Sequence, residues 1–219
     1  MPRPLRNRSE AGQQLAERLL PSSKDRPIVL ALPRGGVPVG FEIAQRLGAP
    51  LDVLIVRKVG APGNPEYGLG AVGEGGVVSI DRRRARDSGY DLADLEPTVE
   101  REVEEVRRRV ERFRGGRPLA DLSGRTAILV DDGVATGGTV LAGIQVVRAL
   151  HARRVVVALG VCPGDTLEAL RREADEVVSL LVPTIFFAVG EWYRDFEPVD
   201  DSEVDRLLAL ARVRAPAVP

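Results

Sequence analysis

The chain has 219 residues, 44% hydrophobic and 29% charged, and its 31 basic and 32 acidic residues leave a net charge of −1. That length suits one domain with a substantial core, and the balanced charge offers no overall field for nucleic acid. One cysteine excludes an internal disulfide, and no apolar run approaches membrane-spanning length, so a cytoplasmic setting with no membrane or nucleic-acid partner is expected.

The first residues, MPRPLRNRSEAG, lack the apolar core of a secretory signal. Residues 9–20 have helical spacing, with Ser9 as the expected N-cap. RPIVLALP reads as a buried strand, followed by an RGG turn and a helix that ends at Gly48. LDVLIVRK reads as a second buried strand. Residues 59–76 are rich in glycine and proline, with six glycines and two prolines between 59 and 75, and predict a long mobile loop with at most a short strand. VVSI is a short strand. Residues 92–114 predict one long charged helix with Glu and Arg at helical spacing. RTAILV is a strand and 139–150 a helix. RRVVVALGV, a helix near 165–174 and EVVSLLVP complete the alternation, before the aromatic segment FFAVGEWYRDF and a helix near 201–212.

Near-continuous Val/Ile/Leu strands alternating with helices predict an α/β fold, a parallel sheet with helices on both faces. In such sheets ligands bind beyond the carboxyl ends of the strands, where LPRGG, VRKVG, VDDGVATGGT and GVCPGD all fall. In LVDDGVATGGTV (129–140) a buried strand ends in two aspartates and a loop of small residues. Glycines feeding a helix N-terminus expose several N–H groups to one anion, and threonine hydroxyls complete a phosphate cradle. The carboxylates repel phosphate and suit hydroxyls or a cation beside it. Phosphate and diol together suggest a ribose 5-phosphate.

VDDGVATGGT resembles the signature of type I phosphoribosyltransferases, which use 5-phosphoribosyl 1-pyrophosphate (PRPP). The resemblance spans most of the chain except 81–116. It implies that Asp131 and Asp132 hold the ribose hydroxyls and that Ala135, Thr136, Gly137, Gly138 and Thr139 wrap the 5-phosphate. Mg²⁺ is the implied cofactor, held at Asp131 and Asp132 mainly through PRPP and water. LPRGGVPVG resembles the family's pyrophosphate loop, with Arg34, Gly35 and Gly36 as its binding residues. IVRKVGAPGNPEYG resembles the adenine-type members, so that Arg57 and Lys58 neutralise the leaving pyrophosphate and Glu66 stands as the candidate for proton transfer. Tyr67 and Glu74 are its competitors. Of the 31 basic residues only Lys24 and Lys58 are lysines, which supports a specific role for Lys58. Phe187, Val189 and Gly190 reproduce a purine-type Phe-x-Val-Gly stretch and imply acceptor binding by Phe187 and Val189. The following aspartate of that pattern is here Arg194, and Ala135 matches adenine- and orotate-type loops, so the acceptor stays unassigned.

The implied fold is a single domain over 1–219, with a helical insert at about 81–116 and a small hood built from terminal segments. The hood includes an aromatic stretch at about 184–213. The implied activity moves ribosyl 5-phosphate from PRPP to a small nitrogenous acceptor such as a nucleobase, releasing pyrophosphate, with a homodimer as the expected assembly. The alternative is a PRPP- or nucleotide-sensing regulator on the same fold. GLGAVG (68–73) fits a dinucleotide fingerprint but lacks the following helix. His151 reads as an exposed helix end, and Cys162, Phe186 and Phe196 read as packing residues.

Overall fold

A computed structural model describes residues 3–214. Five parallel strands form the main sheet: β1 (Pro27–Ala31), β2 (Leu51–Val53), β6 (Thr126–Gly133), β7 (Arg154–Val161) and β8 (Glu176–Leu181), in the order β2-β1-β6-β7-β8. The five residues of β1 are all buried, as a strand covered on both faces requires, and their register pairs Leu30 with Leu129 and Ala31 with Val130. The turn after β1 therefore emerges beside the end of β6, and this fixes where the RGG and Asp-Asp sequences meet.

One face carries α1 (Arg8–Leu19), α2 (Gly36–Leu47) and α7 (Asp201–Arg214). The other carries α5 (Gly138–Ala149) and α6 (Gly164–Arg171). Asn7, not Ser9, caps α1: its side chain accepts from the Glu10 N–H at 3.0 Å, while the Ser9 hydroxyl donates to Glu42. Val204, Leu207, Leu208 and Ala211 of α7 are buried in the core under α2. At about 1.5–3 kcal/mol per fully buried large aliphatic chain, α7 is a structural layer. Only the residues before it belong to the hood.

The hood joins both ends of the chain. The Leu5 N–H donates to the Trp192 carbonyl at 2.9 Å, the Arg194 N–H to Leu5 at 2.8 Å and the Asp195 N–H to Arg6 at 2.9 Å. Phe186 and Phe196 pack with Leu5, Val161 and Tyr193, as expected for packing residues.

The largest difference from the sequence expectation lies in 54–80. LDVLIVRK is not one strand: β2 ends at Val53, Leu54 and Ile55 cross over, and β3 (Val56–Ala61) starts a second sheet. The expected mobile loop is an antiparallel hairpin of β3 with β4 (Asn64–Gly73), extended by β5 (Val78–Ile80). Gly63, at φ +77°, makes the two-residue turn. A side chain at Gly60 would meet the Pro65 backbone, so this glycine serves close strand approach rather than chain freedom.

The insert folds as α3 (Arg82–Asp87) and α4 (Leu92–Arg114). Asp91 and Asp94 form a reciprocal capping box, and Gly115 ends α4 at φ +58°. Its apolar stripe, from Leu95 through Val99 and Val106 to Phe113, packs inward while the opposite face carries Glu–Arg pairs. Among the described residues no helix is long and apolar enough to cross a membrane.

Candidate functional site

β6 delivers the acidic pair, and its last residues feed the loop 134–137 into the N-terminus of α5. Gly137 has φ +73° and stands at the helix N-cap, a backbone shape that disfavours any side chain. The loop is pinned from α6, where the Thr166 hydroxyl donates to the Ala135 carbonyl at 2.7 Å. Asp131, Gly133, Val134, Ala135, Thr136, Gly137, Gly138, Thr139 and Lys58 enclose a cavity of about 170 Å³. The structure thus gathers all five expected phosphate-loop residues and one of the two aspartates around one concavity at a helix N-terminus, which suits an anion.

The other aspartate points elsewhere. Asp132 is 8% exposed, and Arg8 Nε donates to its Oδ2 at 2.7 Å. Its carbonyl accepts from the Tyr193 hydroxyl at 2.5 Å. Asp131 is half-buried, and its Oδ1 accepts from the Asp132 N–H at 2.9 Å. Burial and the neighbouring Asp132 charge hold its carboxyl well above the usual carboxylate range, with Arg8 opposing. Burial likewise pushes the Tyr193 hydroxyl up.

Gly35 and Gly36 pack directly on this strand end. A methyl at Gly35 would overlap the Asp132 carboxylate, and one at Gly36 the Val130 carbonyl. Close approach of backbone to the acidic pair thus accounts for both glycines. Arg34 is exposed, and its guanidinium pairs with Asp201 at 3.2 Å.

Lys58 borders this loop cavity and also a second one of about 250 Å³, lined by Pro33, Leu54–Lys58, Arg109 and Thr139. The two cavities share Lys58 and Thr139. Arg57 Nε donates to the buried Glu102 on α4 at 2.8 Å. Arg109, from the insert, brings a third cation to the second cavity and is itself held by Glu105 at 2.6 Å. Glu66 falls on β4, but its side chain lies outside the described residues. Glu74 is excluded as a proton carrier at this site: it is buried, accepts from the Ile55 N–H at 2.7 Å and pairs with Arg114. Tyr67 sits outward on the hairpin under Arg84.

Val189 packs against Gly133, the last residue of β6, within the hood cluster. Phe187 is 80% exposed, so the fold does not use its ring. Cys162 is buried and burial pushes its thiol up to about 11, in keeping with a packing role. GLGAVG lies within β4 and is followed by a single 3-10 turn at Glu74–Gly76, not by an α-helix.

Arg8, Tyr193 and Arg109 were not singled out from sequence. Arg8 and Arg109 carry no signal in a chain whose basic residues are nearly all arginine, and Tyr193 is hidden in an aromatic run. The acidic pair offers few ligand atoms for a cation, since Asp132 is engaged by Arg8. Among the described residues no group of three or more His, Cys, Asp or Glu could hold a metal ion. Were Mg²⁺ to bind here, Asp131 could offer it an oxygen, with the other positions left to substrate oxygens and water.

A 205-residue stretch is 48% identical to the Mycobacterium tuberculosis protein named "Putative phosphoribosyl transferase Rv0571c", covering 94% of this chain and 46% of that protein. The chain therefore spans about half the length of the curated relatives it matches. The crystal structure of TT1426 from Thermus thermophilus superposes with a TM-score of 0.87 at 49% identity, covering 94% of this chain and 97% of that one. Over 38 residues, 17% of the chain, it is 53% identical to a ribose-phosphate pyrophosphokinase of Parasynechococcus marenigrum, of which those residues cover 12%. The model of the phosphoribosyl transferase domain matches residues 6–195, and with the strand-end acidic pair and glycine loop in place, the chain belongs to that family.

Proposed function

We propose that the protein transfers ribosyl 5-phosphate from PRPP to a small nitrogenous acceptor and releases pyrophosphate. The observation that carries this reading is the cavity formed by Asp131, the 133–139 loop and Lys58. Loop N–H groups and the α5 N-terminus bind the 5-phosphate, and Asp131 accepts from a ribose hydroxyl.

As the bond from the anomeric carbon to pyrophosphate breaks, negative charge grows on the leaving oxygen and positive charge on the ribose. Lys58 faces both cavities and is placed to meet the first of these charges. Arg57 and Arg109 supply further positive potential along the second cavity. Mg²⁺, when bound, supplies charge neutralisation of the pyrophosphate. The hairpin borders both cavities through Lys58, and exclusion of water there would favour the acceptor nitrogen as nucleophile. The exposed Phe187 ring offers a flat apolar face to a nucleobase-like acceptor. One buried cysteine fits a reducing, cytoplasmic setting.

The test is pyrophosphate release from PRPP and Mg²⁺ over a panel of nucleobases and simple amines. Release that depends on one acceptor class supports the transferase. Tight PRPP binding with no release for any acceptor supports the regulator instead.

A further inference from the structure

Outside the ribosyl phosphate site, the insert helix α4 forms one side of a third cavity, of about 570 Å³. Val103, Val106 and Val110 line it from one core cluster, and Leu119, Leu122 and Leu150 from the other, so neither cluster closes the gap. That volume lies within the range of small-molecule sites, and an apolar wall with a few polar groups is their usual make-up.

The polar groups narrow the ligand chemistry. Arg114, the last residue of α4, is part of the wall and only 3% exposed. Its Nη1 donates to Asp52 at 3.4 Å, and the guanidinium pairs with Glu74. Burial lowers the Arg114 pKa, with Asp52 opposing. Arg114 Nε has no acceptor among the described residues, and a buried donor without one is costly. At the exposed rim Arg107 and Arg117 are balanced by Glu111 and Asp121. Deeper in, one guanidinium faces two carboxylates. Such a wall gives an anion no net attraction at the rim and repels it further inside. A carbonyl or ring nitrogen without charge suits the Nε donor.

This cavity also shares two walls with the second one. Helix α4 presents Arg109 to the second cavity and Val106, Arg107 and Val110 to the third. The Ile55 N–H, from the wall of the second, donates at 2.7 Å to Glu74 in the wall of the third.

We propose that the third cavity binds an uncharged small molecule with an apolar body and one hydrogen-bond acceptor, which Arg114 Nε meets. Such a ligand acts on Arg57 and Lys58 only through α4 and Ile55, and its binding does not require PRPP to be the substrate.

Three probes of one outline test the chemistry: α-methylstyrene is apolar, acetophenone adds a carbonyl, and benzoate adds a charge. Each is titrated into the full chain while backbone amide shifts are followed by NMR. Acetophenone should shift the amides of Ile55, 74–76, 103–110 and 119–122 to saturation. It should bind at least about threefold more tightly than either other probe. Arg114→Lys keeps a charge for Asp52 and Glu74 but removes the Nε donor, and should erase the preference for acetophenone over α-methylstyrene. If that variant fails to fold, Leu119→Trp fills the cavity from its half-buried side and should weaken acetophenone at least about tenfold. Tightest binding by α-methylstyrene would show a merely apolar gap, and by benzoate an anion site; either overturns the proposal. Shifts confined to 131–139, or no saturable shift with any probe, would overturn it as well. The same amides shifting on concentration of the protein alone would give the cavity to a second copy of the chain, against the proposal. Pyrophosphate release over the acceptor panel judges the transferase reading separately.

Discussion

Between Gly133 and Thr139 the candidate site is shaped by backbone: a glycine at positive φ, a helix N-terminus and a single side-chain tether from Thr166. Across the cavity, the hairpin and α4 are held by charge, with Arg57 on Glu102, Arg109 on Glu105 and Arg114 on Glu74. The first wall needs particular residues at consecutive positions, because its donors are peptide N–H groups. The second needs only that each charge find a partner, and those partners sit up to 45 residues apart. Substitution should therefore damage the two walls in different ways.

The largest expected effect is on turnover at the residue shared by both cavities. On the proposed transferase reading, Lys58→Ala should lower kcat by about a hundredfold or more while PRPP affinity changes far less, because pyrophosphate would gain charge only as it leaves. Steady-state pyrophosphate release beside calorimetric binding separates the two. A rise confined to KM would make Lys58 a ground-state contact.

Next comes the backbone wall. Gly137→Val forces a branched side chain to φ +73° and into the Thr166 methyl, so urea unfolding should show a loss of about 2–3 kcal/mol. The charged wall should behave otherwise. Arg57→Gln alone leaves the buried Glu102 short of a partner and should cost about 1–2 kcal/mol. Adding Glu102→Gln should recover most of that, since removing both charges removes the desolvation as well. If the double variant is as unstable as the sum of the singles, the wall is not a matter of charge pairing.

Smaller effects follow at Cys162 and Glu105. With its thiol pushed up to about 11 and buried, Cys162 should resist alkylation at pH 8 in native protein and react readily in urea. Fast native labelling would place it at an open edge. Arg108 and Arg109 hold Glu105 down at about 2. Its stabilisation is therefore complete above its ordinary 4.5 and is lost as pH falls from there toward 2. Glu105→Gln should cost about 0.5 kcal/mol at pH 7 and nothing at pH 2 in urea titrations. A penalty that persists at pH 2 would point to packing instead.

The same contrast explains what could be read from sequence. The parallel sheet and the 131–139 cradle were legible because buried strands and a glycine-rich loop leave local marks. The hairpin reads as a mobile loop in composition because its glycines, such as Gly60 against Pro65, serve strand contacts that composition alone does not reveal. Amides of 56–61 and 64–73 should accordingly be protected in ligand-free protein. Arg8, 124 residues from Asp132, and Arg109, brought in by the insert, are long-range choices with no local pattern. Glu74 looked available for chemistry until folding set it on Arg114.

The central claim is that the β6 end and its loop form a ribosyl phosphate site. Calorimetric titration of the full chain with PRPP in Mg²⁺ tests it most directly, with ribose 5-phosphate and inorganic pyrophosphate as partial ligands. The account predicts one site per chain that takes PRPP more tightly than either fragment and loses at least about tenfold in Asp131→Asn. A folded protein that shows no PRPP binding, or binding indifferent to Asp131, would contradict it.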